Sequence, residues 1–349
     1  MSRVHQATGA VGPYDAVTGQ LTAYRDLFER LGIAGGLYAA AIAPGAPSGV
    51  QPLERLRPEA DDLVVVHYSG WVAGMEPLLC LPARTSLVYH NVTPAKWFWR
   101  FEPRMGLSCT LGRERLPAFV RAAGATAAVS EFNAAELRAA GARDPSVVHI
   151  LLDPDRLPRA PEAPRAAGGE SPLVVSIGRL TPHKRPDLAI RAFALYQRRR
   201  RPDARLLCAG LPLNGAYFAR LERLVREVGA RNVRLAAGIS DAELKSAYAD
   251  ASAFLLLSEH EGFCVPLLEA LASGLPVVAR PAGGMPEVGG DAVLWADGGD
   301  PALAAELLHL AVSDADLRAT LFERARRRAE HFSHERVADR IRAAIEAAR

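Results

Sequence analysis

Two glutamates separated by seven residues, Glu261 and Glu269, stand out in the 349-residue sequence because of where they lie. An apolar run ends at Leu257, a short polar loop containing Gly262 follows, and Pro266 suits the first helical position, where its missing N–H costs nothing. Free N–H groups and the positive dipole of a helix N-terminus bind anions, and a glycine lets a ligand approach the backbone. The segment therefore predicts a diphosphate site.

The two carboxylates would repel a diphosphate unless each met a neutral hydrogen-bond donor. Sugar and ribose hydroxyls are such donors, so the pair indicates a nucleotide sugar. Each residue also has a plainer interpretation when it is considered alone. Glu269 could be an ordinary acid at a helix start, and Glu261 could be a solvated loop acid.

Positive charge for a diphosphate is available in a second loop, about eighty residues earlier in the chain. Gly178 directly follows an apolar run, and Arg179 and Lys184 precede a helical pattern that begins near Pro186. Arginine offers a planar fork to phosphate oxygens, and lysine offers a mobile point charge. A single basic loop residue is ordinarily solvated surface, so it is the combination of the two loops that favours a binding site.

The first half of the chain offers a histidine, His90, directly after an apolar run. In parallel α/β sheets this carboxyl edge is where ligands bind. A lone histidine is usually structural, but the loops around Lys184 and Glu261 make His90 a candidate active-site residue. His67 also ends an apolar run and is the weaker candidate.

The elements that must position these residues follow from the hydrophobic pattern. Short apolar runs alternate with amphipathic stretches along the chain, which predicts strand–helix units around parallel sheets. We predict strands at 37–42, 63–67, 86–90, 125–130, 147–151, 173–177, 204–209, 233–236, 253–257 and 276–279. We predict helices at 22–31, 131–140, 186–200 and 217–228, and helices broken near 331–333 within 317–349.

Length and composition predict two domains. The chain is 49% hydrophobic and 23% charged, and it is longer than one ordinary core accommodates. Residues 153–172 contain five prolines and predict a linker. We predict domains at 1–160 and 161–325 and a C-terminal helix at 326–349. The net charge of +3 gives no electrostatic footprint for nucleic acid.

The four cysteines lie far apart and form no Cys-x-x-Cys motif, which argues against a zinc knuckle or a disulfide framework. The N-terminus lacks the apolar core of a signal peptide, and no run approaches 18 apolar residues. We therefore expect a protein of the reducing cytoplasm. A peripheral contact with the inner face of a membrane stays open.

The second half of the chain resembles the donor domain of retaining GT-B glycosyltransferases of family 4, which include bacterial mannosyltransferases and sucrose synthases. Glu261 and Glu269 match the Glu-x7-Glu signature of that family, and Arg179 with Lys184 match its Gly-Arg-Leu phosphate motif and the lysine that follows. The motifs cover about 130 residues. The resemblance implies an α/β GT-B architecture, with two Rossmann-like parallel-sheet domains facing a central cleft and a C-terminal helix packing back on the N-terminal domain.

The resemblance also implies an activity: transfer of a sugar from a nucleotide diphosphate sugar to a glycan, lipid-linked or small-molecule acceptor, with retention of anomeric configuration. No metal or other cofactor is expected. Arg179 and Lys184 would bind the diphosphate, Glu261 the sugar hydroxyls and Glu269 the ribose, and His90 would lie against the donor sugar. These implied roles make His90, Arg179, Lys184 and Glu261 the candidate catalytic residues.

Further donor-site residues are implied by the same resemblance: Gly12, Gly178, Gly238, Ile239, Gly262, Phe263, Cys264, Val265, Pro266 and Leu267. Two departures from the family pattern occur. Cys264 stands where the family often has glycine, and the first loop has Gly12 in place of a Gly-Gly pair. On the acceptor side we expect Asp15, Asn91 and Trp97. The aromatic cluster at 97–101 could meet the acceptor, a membrane surface or the core.

The sequence also bears on other functional classes. A dinucleotide-dependent dehydrogenase should show a Gly-x-Gly-x-x-Gly motif early in the chain, and the sequence has none. A metal-dependent GT-A transferase needs an Asp-x-Asp motif, which Asp153-Pro154-Asp155 formally supplies at the start of the predicted linker. A nucleotide-sugar-binding subunit without catalysis, and another GT-B-like nucleotide-sugar enzyme, stay open as alternatives.

Overall fold

The computed structural model describes residues 2–13, 15–153, 161–166 and 168–349. The chain divides into two compact units that do not follow the chain order completely. The first contains Met1–Trp99, Pro103–Leu152 and Phe332–Arg349, and the second contains Arg100–Glu102 and Asp153–His331. The predicted domain boundary at residue 160 falls outside the described residues and stays a prediction.

The first unit is a parallel α/β fold. Its elements are β1 Val4–Val11, α1 Ala16–Arg30, β2 Ala34–Ile42, β3 Val50–Pro52, β4 Leu63–Tyr68, β5 Arg84–Tyr89, α2 Pro103–Ala122, β6 Ala125–Ala128, α3 Glu131–Ala139 and β7 Ser146–Val147, with 3-10 turns at Leu53–Arg55, Glu76–Leu79 and Ala95–Trp97. Among the described residues the strands form one sheet in the order β3-β2-β1-β4-β5-β6-β7. The order reverses beside β1, so the carboxyl ends of β1 and β4 flank a topological switch point, where such folds bind ligands.

Two predicted strands of the first unit end earlier than expected. The strand at 125–130 ends at Ala128, because Ser130 is the N-cap of α3 and its Oγ accepts from the Asn133 N–H at 3.1 Å. The strand at 147–151 shortens to Ser146–Val147. Strands β1 and β3 were not predicted.

The second unit is built in the same way. Its elements are β8 Leu173–Ile177, α4 Pro186–Arg199, β9 Arg205–Ala209, α5 Gly215–Glu227, β10 Val233–Ala236, α6 Asp241–Asp250, β11 Ala253–Leu256, α7 Val265–Ala272, β12 Val277–Ala279, α8 Met285–Gly289, β13 Val293–Trp295, α9 Pro301–Ser313 and α10 Ala315–His331, with 3-10 turns at Pro182–Lys184, Gly290–Ala292 and Asp297–Gly299. In the described part of the chain the sheet order is β10-β9-β8-β11-β12-β13, and the paired strands are parallel. Its switch point therefore lies between β8 and β11.

The last helix, α11 (His334–Ala348), belongs to the first unit, which confirms the expectation that it packs back there. It buries Val337, Ile341 and Ile345, and Arg340 donates to His149 Nδ1 at 2.8 Å. The helix begins at His334 rather than at 326, because α10 continues to His331 and the next helix starts after its own N-cap, Ser333.

The interior of each unit is apolar, as buried parallel strands require. In the first unit Val64, Val66 and Leu87 pack with Phe119. In the second unit Val174, Leu255 and Val278 belong to one core cluster with residues of α4 and α9. No helix within the described ranges is long and apolar enough to span a bilayer.

Candidate active site

The switch point of the second unit brings the two predicted loops together. The loop after β8 carries Lys184 and the loop after β11 carries Glu261, and Lys184 Nζ donates to Glu261 Oε2 at 2.5 Å. These two strands are neighbours in the sheet, so their carboxyl ends share one edge. The sequence predicts both residues in one site but not that they form an ion pair.

Glu261 is a buried carboxylate with unused hydrogen-bonding capacity. Its side chain is 4% exposed, and Oε1 has no hydrogen-bond partner among the described residues. A buried acceptor of this kind is costly unless a donor reaches it. A hydroxyl group placed against Oε1 would satisfy it, and the plain interpretation of Glu261 as a solvated loop acid is wrong.

The backbone of the Glu261 loop is held by the loop after β12. Gly284 N–H donates to the Glu261 carbonyl oxygen at 2.9 Å. Gly283 has φ +57°, and a Cβ there would overlap the same carbonyl. Because Gly283 and Gly284 have no side chains, the loop after β12 can contact the Glu261 loop through its backbone. This contact fixes the backbone position of Glu261 in the site.

Cys264 ends this loop and is the N-cap residue of α7. Its backbone has φ +86° and ψ +74°, a region that costs a non-glycine residue strain. This explains why a glycine suits the position in the family that the sequence resembles. Burial raises the pKa of the thiol, and the neighbouring Glu261 adds to the rise, so the thiol is neutral and is not poised as a nucleophile.

Helix α7, which follows this loop, begins one residue earlier than predicted. It begins at Val265, which makes Pro266 the second helical residue and not the first. The N–H at that position also lacks an intrahelical partner, so proline is accommodated equally well. The backbone of 262–264 and the N–H groups of this first turn, including Leu267, are those predicted to bind a donor.

Glu269 is buried one turn farther along α7. It is 6% exposed, and Tyr248 of α6 donates from its hydroxyl to Glu269 Oε2 at 2.8 Å. The interpretation of Glu269 as an ordinary acid at a helix start is therefore wrong. Sequence reasoning missed Tyr248, which lies on the buried face of α6 with Leu244 and Ala247.

Arg179 is placed differently from Lys184. It is exposed, and its guanidinium has no side-chain partner in the described part of the chain. Together with Gly178 and Lys184 it lines one small pocket at the end of β8. An unpaired cation beside a buried carboxylate–lysine pair is a suitable partner for an anion.

A second charged network supports this edge and was not predicted. Arg185 has a left-handed backbone (φ +51°), and its guanidinium binds Asp187 at 2.9 Å and also Glu259. Arg280 binds Glu259 at 2.7 Å. The network ties the loop after β8 to the loops after β11 and β12, so it stabilises the positions of Lys184 and Glu261.

Gly238 and Ile239 follow β10, at the same carboxyl edge but two strands away from β8. Gly238 has φ +100°, and Ser240 with Glu243 forms a capping box at the start of α6. The capping box explains the strand-to-helix turn. A contact of Gly238 or Ile239 with a base stays a prediction.

The first unit has a chain of polar side chains at its own switch point. His67 ends β4 and is fully buried, and its Nδ1 lies 2.9 Å from His90 Nε2. His67 Nε2 lies 3.0 Å from Gln6 Oε1 on β1. His67 was the weaker candidate in the sequence and Gln6 was missed, because β1 was not predicted.

Both histidines are neutral at pH 7. Burial, with a smaller effect of His90, lowers the pKa of His67 well below its usual value, and burial lowers the pKa of His90 to about 3. In an unfolded chain both would have pKa values near 6.5. At pH values between the folded-state and unfolded-state pKa of each histidine, the unfolded state therefore binds more protons than the folded state.

We expect the free energy of unfolding to fall as the pH drops below about 6.5, by up to about 1.4 kcal/mol per pH unit for each histidine. Urea unfolding at pH 7 and pH 5 measures this slope. His67→Leu removes one of the two groups, so its slope should be smaller than that of the wild type. Equal slopes in both proteins would show that His67 does not resist protonation.

The acceptor-side candidate Asp15 and the donor-side candidate Gly12 have structural contacts. Asp15 is the N-cap of α1, and its Oδ2 accepts from the N–H and the hydroxyl of Thr18 at 2.9 and 3.0 Å. Gly12 N–H donates to the same hydroxyl at 3.1 Å. The bonds to Thr18 account for Asp15 without a ligand, and a contact of Asp15 or Gly12 with a substrate stays a prediction.

Asn91 is likewise engaged within the first unit. Its Nδ2 donates to Asn133 Oδ1 and to Glu136 Oε2, each at 2.9 Å, and its backbone has φ +84°. These contacts favour a role in holding the His90 loop over a role as an acceptor ligand.

The residues of the aromatic cluster at 97–101 lie in different environments. Phe98 is buried, Trp99 is 48% exposed, and Phe101 packs edge-on against Tyr217 of the second unit at 5.0 Å between ring centroids. Trp97 is half-buried, and its Nε1 has no partner among the described residues. A contact of Trp97 with an acceptor stays a prediction.

Comparisons with known proteins agree with this geometry. Residues 162–328 match the family model described as glycosyl transferases group 1. The crystal structure of HepE from Anabaena, in complex with UDP and glucose, resembles this chain with a TM-score of 0.74 at 18% identity, over 99% of this chain and 100% of that one. The fold is GT-B.

Curated relatives match the GT-B chain over shorter stretches. A GDP-mannose-dependent alpha-(1-6)-phosphatidylinositol monomannoside mannosyltransferase from Mycolicibacterium smegmatis is 38% identical over 143 residues, 39% of this chain and 36% of that protein. A D-inositol 3-phosphate glycosyltransferase from Corynebacterium jeikeium is 36% identical over 171 residues, 47% of this chain and 41% of that protein. The chain thus spans about two fifths of the length of these relatives.

The GT-B fold overturns one alternative. A GT-A transferase does not have two separate Rossmann-like sheets, so that interpretation of the sequence is wrong. Of its supposed Asp153-Pro154-Asp155 motif, Pro154 and Asp155 lie outside the described residues.

Proposed function

We propose that this chain is a glycosyltransferase that moves a sugar from a nucleotide diphosphate sugar to an acceptor hydroxyl, with retention of anomeric configuration and without a metal. The observation that carries the proposal is the Lys184–Glu261 pair at the switch point. It places a buried carboxylate oxygen in need of a donor beside a cation and a helix N-terminus. A glycosyl diphosphate offers hydroxyls and phosphates side by side, as this arrangement of carboxylate, cation and helix N-terminus requires.

The relatives support this donor class. One is named for its use of GDP-mannose, and the HepE structure contains UDP and glucose. For the acceptor we propose a glycan or lipid-linked hydroxyl, since the mannosyltransferase is named for a phosphatidylinositol mannoside. The proposal includes a contact of the protein with a membrane surface only for a lipid-linked acceptor.

In the proposed mechanism the protein supplies charge and orientation. Glu261 Oε1 accepts from a sugar hydroxyl, Arg179 and Lys184 stabilise the phosphate as the bond from the anomeric carbon to its oxygen breaks, and His90 orients the sugar. The acceptor oxygen bonds to the same face of the anomeric carbon, and its proton passes to the departing phosphate. Glu269 would bind the ribose, with Tyr248 holding the carboxylate in place.

The test of the function is direct. We expect the purified full chain to transfer sugar from at least one nucleotide sugar to an acceptor glycan or lipid glycoside, with product detected by mass spectrometry. Transfer should persist in excess EDTA, because Arg179, Lys184 and the N-terminus of α7 supply the positive charge. Donor binding without any product would support the binding-subunit alternative, and activity restored only by Mn²⁺ would contradict metal independence.

The stereochemistry is a separate prediction. A double displacement needs a carboxylate nucleophile under the anomeric carbon, and Glu261 is already paired with Lys184. The resemblance of the Glu261 and Arg179 loops to those of retaining enzymes leads us to expect that the new linkage keeps the configuration of the donor, and the Lys184–Glu261 pair favours the same-face route over a double displacement. The proton NMR coupling at the anomeric position of the product measures it. An inverted product, or a trapped glycosyl ester on an Asp or Glu, would overturn the same-face mechanism.

A further inference from the structure

Three polar side chains from adjacent strands of the first unit form a continuous hydrogen-bonded row. In the parallel register Gln6 of β1 aligns with Val65, and Thr8 aligns with His67 of β4, which in turn aligns with Val88 of β5. Side chains two residues apart on a strand lie on the same face. Gln6, His67 and His90 therefore lie on one face, in a diagonal that ends at the carboxyl edge.

The first residue of the row has a fixed orientation. Gln6 is 1% exposed, and its Nε2 donates to the Leu21 carbonyl oxygen of α1 at 3.1 Å. A carbonyl oxygen only accepts, so the amide nitrogen must face Leu21 and the amide oxygen must face His67. If the amide oxygen and nitrogen of Gln6 were exchanged, the amide oxygen would face the Leu21 carbonyl oxygen, and neither of these oxygens can donate a hydrogen bond.

The orientation of Gln6 determines the protonation of both rings. Gln6 Oε1 accepts, so His67 Nε2 carries the proton, and a neutral His67 then has a lone pair on Nδ1. That lone pair faces His90 Nε2 at 2.9 Å, so His90 Nε2 must be the donor. The neutral His90 ring is left with a lone pair on Nδ1.

The row is held rigidly. Thr8 Oγ1 donates to the His67 carbonyl oxygen at 3.0 Å, and the Tyr24 ring lies edge-on to the His67 ring at 5.1 Å between centroids. His90 N–H donates to the Tyr68 carbonyl oxygen at 2.9 Å. His90 is only half-buried, and in the described part of the chain its Nδ1 has no hydrogen-bond partner.

We propose that Gln6 and His67 are positioning residues for His90, because they place its ring proton on Nε2 and leave Nδ1 as the acceptor for a substrate hydroxyl. The substrate contact rests on the proposed glycosyl transfer, whereas the protonation pattern does not. The group that meets His90 must then be a donor, such as a sugar hydroxyl, and not a carboxylate or a phosphate oxygen.

The direct test is the tautomer of His90 in the wild-type chain. Long-range ¹H–¹⁵N correlation spectra of protein labelled with ¹⁵N-histidine distinguish protonated from bare ring nitrogens, and His90→Asn assigns the signals. We expect a bare Nδ1 and a protonated Nε2 for His90 at pH 7. A proton on His90 Nδ1 would overturn the proposal.

A matched pair of variants tests the action through Gln6. Gln6→Met keeps the length of the side chain but removes the acceptor, so the His90 signals should shift toward an average of two tautomers. The KM for the donor should rise about five-fold, the equivalent of one ordinary hydrogen bond of about 1 kcal/mol. Thr85→Val also removes a side-chain hydrogen bond from a strand of the first unit, the bond from Thr85 Oγ1 to the Ala122 carbonyl oxygen, but it should leave the tautomer and the KM unchanged. Unchanged His90 signals in Gln6→Met would contradict the role of Gln6.

The two hypotheses fail separately in these experiments. A wild-type chain with bare His90 Nδ1 but no sugar transfer would overturn the proposed function while the protonation pattern stands. Sugar transfer with His90 Nδ1 protonated would overturn the positioning role alone.

Discussion

Replacing Arg179 with alanine is expected to lower sugar transfer by about a hundredfold or more while the free energy of unfolding stays the same. Arg179 is exposed and has no side-chain partner in the described ranges, so the fold loses little without it. In the proposed mechanism it is the charge that is free to meet the leaving diphosphate. Steady-state kinetics with the identified donor, together with urea unfolding, measure both quantities.

The control for this variant is Arg191→Ala. Arg191 is an exposed arginine of α4 in the same unit, and it should change neither rate nor stability. Normal turnover in Arg179→Ala would remove Arg179 from the mechanism. A large loss of stability would show that it holds the fold instead.

Lys184→Met is expected to destabilise the protein by about 3 kcal/mol, because it leaves the buried Glu261 carboxylate without its counter-charge. The sequence alone predicts a loss of transfer with an intact fold. The ion pair seen in the structure adds this cost in stability. Urea unfolding measures it, and transfer should be lost as well.

A double variant separates charge from packing. Lys184→Met with Glu261→Gln removes both charges, so it should recover most of the lost stability while remaining inactive. The exposed pair Arg234–Glu243 provides the comparison, since Arg234→Met should cost much less stability than Lys184→Met. If the double variant is no more stable than Lys184→Met, the lysine does not act by neutralising Glu261.

Five of the six described strands of the second sheet could be predicted from the sequence because they are short and mostly apolar, and β13 was missed. Strands β8 and β10 have the predicted bounds, and β11 differs by one residue. Strand β1 could not be predicted, since His5, Gln6 and Thr8 interrupt its apolar pattern although all three are buried. One of these residues, Gln6, connects through His67 to His90, and functional sites are where local patterns are expected to fail.

The candidate site was predicted in its residue types but not in its pairings. The sequence directly shows the seven-residue spacing of Glu261 and Glu269 and the loop that contains Arg179 and Lys184. That Lys184 binds Glu261, and that Tyr248 binds Glu269, depends on which strands and helices become neighbours. Residues such as Asp15 and Asn91 are equally polar in sequence, and only their partners show that they cap and brace the backbone.

The membership of α11 in the first unit has a consequence for how the chain is made. A ribosome synthesises residues 153–331 of the second unit before it reaches Phe332–Arg349. While that segment emerges, the first sheet lacks the side chains of Val337, Ile341 and Ile345 that α11 buries. The first unit can therefore complete its core only after translation of the second has finished, although it begins at the N-terminus. Synthesis of the first unit therefore begins before that of the second and ends after it.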